Sequence, residues 1–250
     1  IETGSKTSKF GLDSEAVNKI SDEARENKLV NITSVACHIG SQISDENLIL
    51  KSLDVISEIA NNLSENGHAI KFLDIGGGLG IQYKDEEEGN PKILMAGVKN
   101  KLEGKEYKII LEPGRSIVGS AGILVTRIEY IKNAGGKKFA IIDAGMNDLI
   151  RPSLYEAWHE VKELENREIS SDTYDLAGPV CETGDILAKD RNLKILTNDF
   201  VAFMDVGAYG SVMSSNYNSR LKPMELLVRA GEIEVIRRKE TFEDLIALES

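Results

Sequence analysis

Only two cysteines, Cys37 and Cys181, occur in 250 residues, too few for a disulfide scaffold. No apolar run approaches the length of a membrane span, and the polar start Ile1-Glu2-Thr3-Gly4-Ser5-Lys6 lacks the apolar core of a signal peptide. Clusters of lysine and arginine are also missing. With a formal net charge of -11, that argues against nucleic acid and anionic membrane surfaces as partners, although a pocket sets its own field and the substrate need not be basic. The 22 glycines and 5 prolines are scattered rather than periodic, and no internal repeat or low-complexity tract appears. A cytoplasmic globular protein of one or two domains is the expectation. The chain also lacks an initiator methionine and enters almost at once on Phe10-Gly11-Leu12 and a helix from about Asp13, which reads as the middle of something longer.

What is present is most informative at Leu111-Glu112-Pro113-Gly114-Arg115. The apolar run Tyr107-Lys108-Ile109-Ile110-Leu111 ends in a carboxylate, a fixed turn and a guanidinium. On its own this reads equally as a turn with a surface ion pair or as a site at the carboxyl end of a strand. Two similar units precede it. One is Ile32-Thr33-Ser34-Val35-Ala36-Cys37-His38-Ile39-Gly40-Ser41, the other Lys71-Phe72-Leu73-Asp74-Ile75-Gly76-Gly77-Gly78-Leu79-Gly80. Between them Ser44 is placed to cap a helix whose Leu48, Ile49, Ile56, Ile59 and Leu63 recur at helical spacing, with Gly67 as its stop. Alternating strands and helices predict a parallel sheet with helices on both faces and its functional residues on one rim. A complete (β/α)₈ barrel needs roughly 250 residues. Residues 1–118 supply three strand-helix units, at most half a barrel.

The texture changes near Val118. Residues 122–132 and 138–143 alternate around the turn Asn133-Ala134-Gly135-Gly136, which predicts a hairpin. Further strands are expected at 171–177, 200–205 and 224–228, so that 119–250 reads as a second, antiparallel β domain. Polar clusters follow several strand ends: Asp143 to Arg151-Pro152 leading into Leu154-Tyr155, Gly178-Pro179-Val180-Cys181-Glu182-Thr183-Gly184-Asp185, and Asp205-Val206-Gly207-Ala208-Tyr209-Gly210. Each taken singly is a tight turn as readily as a site. The run Asp85-Glu86-Glu87-Glu88 reads as a solvated loop.

Taken in order, these motifs resemble the diaminopimelate decarboxylases, pyridoxal-phosphate enzymes of the alanine racemase-like fold. The resemblance runs from Ser8-Lys9-Phe10-Gly11 to Arg238-Lys239-Glu240-Thr241-Phe242-Glu243-Asp244-Leu245. It rests on His38-Ile39-Gly40-Ser41, the triple glycine 76–78, Glu112-Pro113-Gly114-Arg115 and, most specifically, Gly178 to Asp185. Related ornithine and arginine decarboxylases share the first three and usually differ after the cysteine.

The resemblance implies an α/β barrel part followed by a β domain, a pyridoxal 5'-phosphate cofactor, and decarboxylation of meso-diaminopimelate to L-lysine and carbon dioxide. It implies Glu112 as partner of the ring nitrogen, His38 against the ring face, Ser41, Gly77, Gly78 and Gly114 around the phosphate, and Arg115 among the cofactor-binding residues. Arg115 and Arg151 would pair with the distal carboxylate of the substrate, supported by Tyr155, and Glu182 would accept the distal ammonium. Tyr209 would border both cofactor and substrate. Cys181 would return the proton, while Cys37 reads as packing. A homodimer with the cysteine loop contributed across the interface is implied too, and no metal. The lysine that bonds the cofactor in this family is expected upstream of Ile1, since none present sits in a matching motif; the 250 residues alone are therefore expected neither to catalyse nor to fold well. Two other readings stand beside this one: a decarboxylase of ornithine, arginine or carboxynorspermidine, and a catalytically dead regulatory homologue.

Overall fold

A computed structural model describes residues 9–249, which fall into two compact units, one ending at Val118 and the other beginning at Gly119.

The first unit is built from helices α1 (Ser14–Glu26), α2 (Glu46–Glu65), α3 (Pro91–Lys101) and the short α4 (Arg115–Val118), with strands β1 (Ser34–Ala36), β2 (Phe72–Asp74) and β3 (Lys108–Ile110). The three strands pair in parallel in the order β1-β2-β3. The side chain of Asp13 caps α1 by accepting from Ala16 N–H. The cap of α2 is Asp45 and not the expected Ser44, because its carboxylate reaches Asn47 N–H at 3.0 Å. Gly67 ends that helix at φ +94°, where a side chain would be strained, and His68 N–H closes on Leu63 O.

Ile49, Leu53, Ile56, Ala60 and Leu63 of α2 bury one face of the sheet through Leu73 and Ile75, with Leu94 and Val98 of α3 beside them. Leu48, named as part of the apolar stripe, lies outside it at 47% exposure. The opposite face of the strands carries Ser34, Ala36, Lys108 and Ile110, all exposed. Among the described residues of this unit helices therefore cover one face of the sheet, not both.

The second unit contains β4 (Leu124–Ala134), β5 (Lys137–Ile142), α5 (Arg151–Tyr155), β6 (Val161–Glu163), β7 (Asp172–Ala177), β8 (Ile186–Leu193), β9 (Phe200–Phe203), β10 (Glu225–Arg229), β11 (Glu232–Arg237) and α6 (Phe242–Leu245). The hairpin β4-β5 turns through Gly135 and Gly136, at φ +59° and +80°, the left-handed pair that a two-residue turn between twisted strands requires. Six strands form one sheet in the order β6-β9-β4-β5-β7-β8. Its β5-β7 pair is parallel, so the sheet is mixed rather than antiparallel throughout. A parallel pair needs a crossover, here the segment from Asp143 to Ser171 that carries α5 and β6. Its end strands approach one another, tied by Lys194 N–H donating to Glu163 Oε1 at 2.7 Å, so the sheet curls toward closure around Ile128, Ile142, Leu176, Leu187, Val201 and Phe203. The hairpin β10-β11 stands apart as a two-stranded sheet.

Candidate active site

In the first unit three loops leave the carboxyl ends of β1, β2 and β3 and lock together through their backbones. Cys37 N–H donates to Asp74 O at 2.9 Å, Ile75 N–H to Ile110 O at 3.2 Å, and Glu112 N–H to Gly76 O at 2.8 Å. Asp74 Oδ1 accepts from Gly76 N–H at 2.8 Å, and Gly77 N–H donates to His38 Nδ1 at 3.3 Å. An Nδ1 that accepts leaves the proton of the neutral ring on Nε2.

The glycines of this rim divide by what a Cβ would meet. At Gly77 it would lie 2.0 Å from Glu112 O, and at Gly78 2.2 Å from Gly40 O. These two are glycine because neighbouring backbone fills the space. Around Gly114 nothing lies within 4 Å, so its open side admits an external group.

Arg115 is buried at 6% exposure. It donates through Nη1 to Tyr83 Oη at 2.5 Å and through Nη2 to Ser41 Oγ at 3.2 Å, with its guanidinium 5.5 Å from the Tyr83 ring centre. Glu112 and His38 are exposed beside it on the rim. Glu86, expected in a solvated loop, is half-buried instead. Its carboxylate accepts from Tyr83 N–H at 3.1 Å and Lys84 N–H at 3.0 Å, and although burial works against it, these backbone donors hold it below the usual carboxylate range. It fixes the turn that presents Tyr83 to Arg115. Cys37 is half-buried in the core beneath, where burial pushes its thiol up. An apolar cleft of 260 Å³ opens nearby between Leu79, Leu94, Met95, Leu111, Pro113 and Ile117.

In the second unit the cysteine loop is organised by one carboxylate. Asp185, 2% exposed, accepts from Met146 N–H at 2.6 Å and Val180 N–H at 2.7 Å, and a Cβ on Gly178 would strike it at 2.4 Å. The loop closes through Glu182 N–H to Val180 O, Asp185 N–H to Glu182 O, and Ser153 Oγ–H to Gly184 O. Cys181 and Glu182 stand exposed on this frame, with Tyr217 Oη donating to Glu182 Oε2 at 3.4 Å. Arg220 braces the adjoining loop by donating to Asn147 Oδ1 at 2.8 Å and Asp143 O at 2.6 Å, and it lies 3.7 Å from Asp148. Burial raises both Asp185 and Asp148 above the usual carboxylate range against the donors that pull them down.

Arg151 opens α5 and is buried at 7%, donating through Nη1 to His159 Nε2 at 2.8 Å. Tyr155, at the other end of α5, is exposed. Tyr209 is 41% exposed and held at φ +60°, on a turn where Asp205 is also at φ +58°. A left-handed backbone is uncommon for a bulky aromatic residue and recurs at functional turns.

Within its unit the structure joins Arg115 with Ser41 directly, and links His38, Gly77 and Glu112 through loop backbone; in the other it frames Cys181 and Glu182 by Asp185 and presents Arg151 separately. Tyr83, His159, Tyr217 and Arg220 were not identified from the sequence as site residues. Each sits in a segment without a recognisable motif, and its role arises from pairing with a residue 8 to 77 positions away.

A model of the pyridoxal-dependent decarboxylase C-terminal sheet domain matches residues 21–207. The chain is 43% identical over its whole length to a diaminopimelate decarboxylase of Pseudomonas aeruginosa, covering 60% of that protein, and 44% identical over 98% of its length to one of Aquifex aeolicus, covering 59%. It thus spans about 60% of the length of these curated relatives. A crystal structure of diaminopimelate decarboxylase from Helicobacter pylori complexed with L-lysine matches all of the chain and 62% of its own, with a TM-score of 0.94 and 41% identity. A viral arginine decarboxylase, from Paramecium bursaria Chlorella virus, shares the fold at a TM-score of 0.76 and 20% identity. With the family model covering most of its length, the chain belongs to the pyridoxal-dependent decarboxylases.

Proposed function

We propose that this chain is part of a diaminopimelate decarboxylase that removes carbon dioxide from meso-diaminopimelate to give L-lysine, with pyridoxal phosphate as cofactor. Residues 1–118 are read as the C-terminal portion of its (β/α)₈ barrel and 119–250 as its C-terminal β domain. The observation that carries the reading is the loop Gly178–Asp185, whose buried Asp185 clamps two backbone N–H groups and leaves Cys181 and Glu182 exposed. The identity of 43% and 44% along this chain to named diaminopimelate decarboxylases supports the substrate.

The rim of the first unit fits a flat, doubly anionic ring compound. It offers an exposed carboxylate in Glu112, an aromatic ring in His38, a hydroxyl in Ser41 and open space at Gly114. When bound, the cofactor supplies an electron sink for the carbanion left by decarboxylation. Glu112 would hold its pyridine nitrogen protonated, and His38 would lie against the ring face. Gly77 and Gly78 shape the loop that would hold the phosphate, the open side of Gly114 would let it approach, and Arg115 orders Ser41 and Tyr83.

Arg151 would pair with the distal carboxylate, Tyr155 and Tyr209 would flank the substrate, and Glu182 would take the distal ammonium. A planar guanidinium matches a carboxylate in two bonds where lysine gives one point charge. Cys181 donates a proton to the carbon that has lost its carboxylate. We read the enzyme as a cytoplasmic homodimer, its cysteine loop offered to the neighbouring subunit. No helix among the described residues is long and apolar enough to cross a membrane.

Cys181→Ser in the full-length enzyme is expected to lower kcat by about 10²-fold or more, the scale of a lost general acid, with cofactor absorbance retained. An unchanged kcat would remove Cys181 from its role.

A further inference from the structure

Of the three histidines in the chain, His159 alone is fully enclosed, at 0% exposure. It follows α5 and precedes β6. Its Nδ1 lies 2.8 Å from the carbonyl oxygen of Met204, and its Nε2 lies 2.8 Å from Nη1 of Arg151. A carbonyl only accepts and a guanidinium only donates, so the two bonds fix the tautomer: the proton is on Nδ1 and Nε2 is a bare acceptor.

The segment that carries the ring is itself fixed. Arg191 Nη2 donates to the His159 carbonyl at 3.1 Å, and its guanidinium stacks 4.5 Å over the Trp158 ring. Met204 N–H donates to Glu160 O at 2.9 Å, so the ring and the backbone of residues 159–160 hold Met204 from both sides. Met204 begins the turn through Asp205 that leads to Tyr209. One imidazole therefore ties the Arg151 guanidinium to the start of the turn bearing Tyr209.

We propose that His159 is a positioning residue for the distal-carboxylate end of the substrate, acting through Arg151. A guanidinium on a flexible stem loses rotamer freedom when it grips a carboxylate. An acceptor that holds it beforehand meets that cost in the folded state and raises affinity without touching the substrate. This inference rests on the reading of Arg151 as the carboxylate partner.

The two bonds of the ring can be removed separately in the full-length, cofactor-loaded enzyme. In His159→Asn the amide nitrogen takes the place of Nδ1 and still donates to Met204 O, but residue 159 no longer offers an acceptor to Arg151. In His159→Gln the amide oxygen takes the place of Nε2 and still accepts from Arg151, but Met204 O is abandoned. His159→Asn is expected to raise the KM for meso-diaminopimelate about tenfold or more, the scale of a charge-assisted hydrogen bond, with a much smaller fall in kcat. His159→Gln is expected to recover most of that affinity and to melt at a lower temperature than His159→Asn. A merely structural histidine would give KM changes that follow the melting temperature; that pattern, or a KM unmoved in His159→Asn, overturns the proposal. Arg151→Lys separates the two claims. If it raises KM while His159→Asn does not, the inference fails and the reading of Arg151 stands. If Arg151→Lys leaves KM unchanged, that reading fails and takes the inference with it.

Discussion

Two carboxylates in the second unit carry a testable electrostatic signature. Asp148 and Asp185 are raised above the ordinary carboxylate value of 3.8 by burial, although each accepts backbone N–H bonds. A carboxyl group raised in the folded state binds its proton more tightly there than in the unfolded chain. Its ionised form then opposes folding, and the opposition appears as pH rises through the folded value. For Asp148 the wild type should accordingly be best placed against Asp148→Asn below about pH 4 and lose ground as pH climbs above it. Urea denaturation of the full-length protein at several pH values measures this, and a difference that grew in favour of the wild type with rising pH would contradict it. Tyr209 and Asp205 show the same economy of function over ease of folding, both in left-handed backbone that costs about 1–2 kcal/mol per residue in an L-amino acid.

Loops, rather than strands, do most of the positioning, and their glycines separate two physical causes. Gly67→Ala meets no neighbour and carries only the left-handed strain of φ +94°, an expected loss of about 1 kcal/mol. Gly77→Ala drives a Cβ to 2.0 Å from Glu112 O, so the β2 and β3 loops must part, with a loss above about 3 kcal/mol. Equal losses in urea denaturation of the full-length variants would mean that the rim is not interlocked. At this scale the sequence was legible where local chemistry decides. The hairpin at Gly135-Gly136, the stop at Gly67 and the helical spacing of α2 all follow from turn residues and periodicity. The cap moved by one residue because Ser44 and Asp45 offer alike oxygens and only geometry chooses. Strand β8 escaped notice because Lys189-Asp190-Arg191-Asn192 breaks its apolar pattern, and the parallel β5-β7 pairing is a matter of topology that no local signal carries. His159 was silent for the same reason: alone in Trp158-His159-Glu160 it has no periodicity and no motif, and its meaning comes from Arg151 and Met204.

Across the molecule, one unit gathers His38, Gly77 and Glu112 on one rim, and the other holds a clamped cysteine loop and a buried arginine. Membership of the pyridoxal-dependent decarboxylases was legible in the sequence as a resemblance carried by the ordered motifs, Gly178 to Asp185 above all. The catalytic assignments depend on chemistry at the substrate's far end, because removal of carbon dioxide is common to the family while a distal carboxylate distinguishes diaminopimelate from ornithine and arginine. The most direct measurement offers meso-diaminopimelate, ornithine and arginine separately to the full-length enzyme with pyridoxal phosphate and follows carbon dioxide. Release from diaminopimelate alone is the expected result. Release from ornithine or arginine at a comparable rate, or from none of the three, would contradict the account.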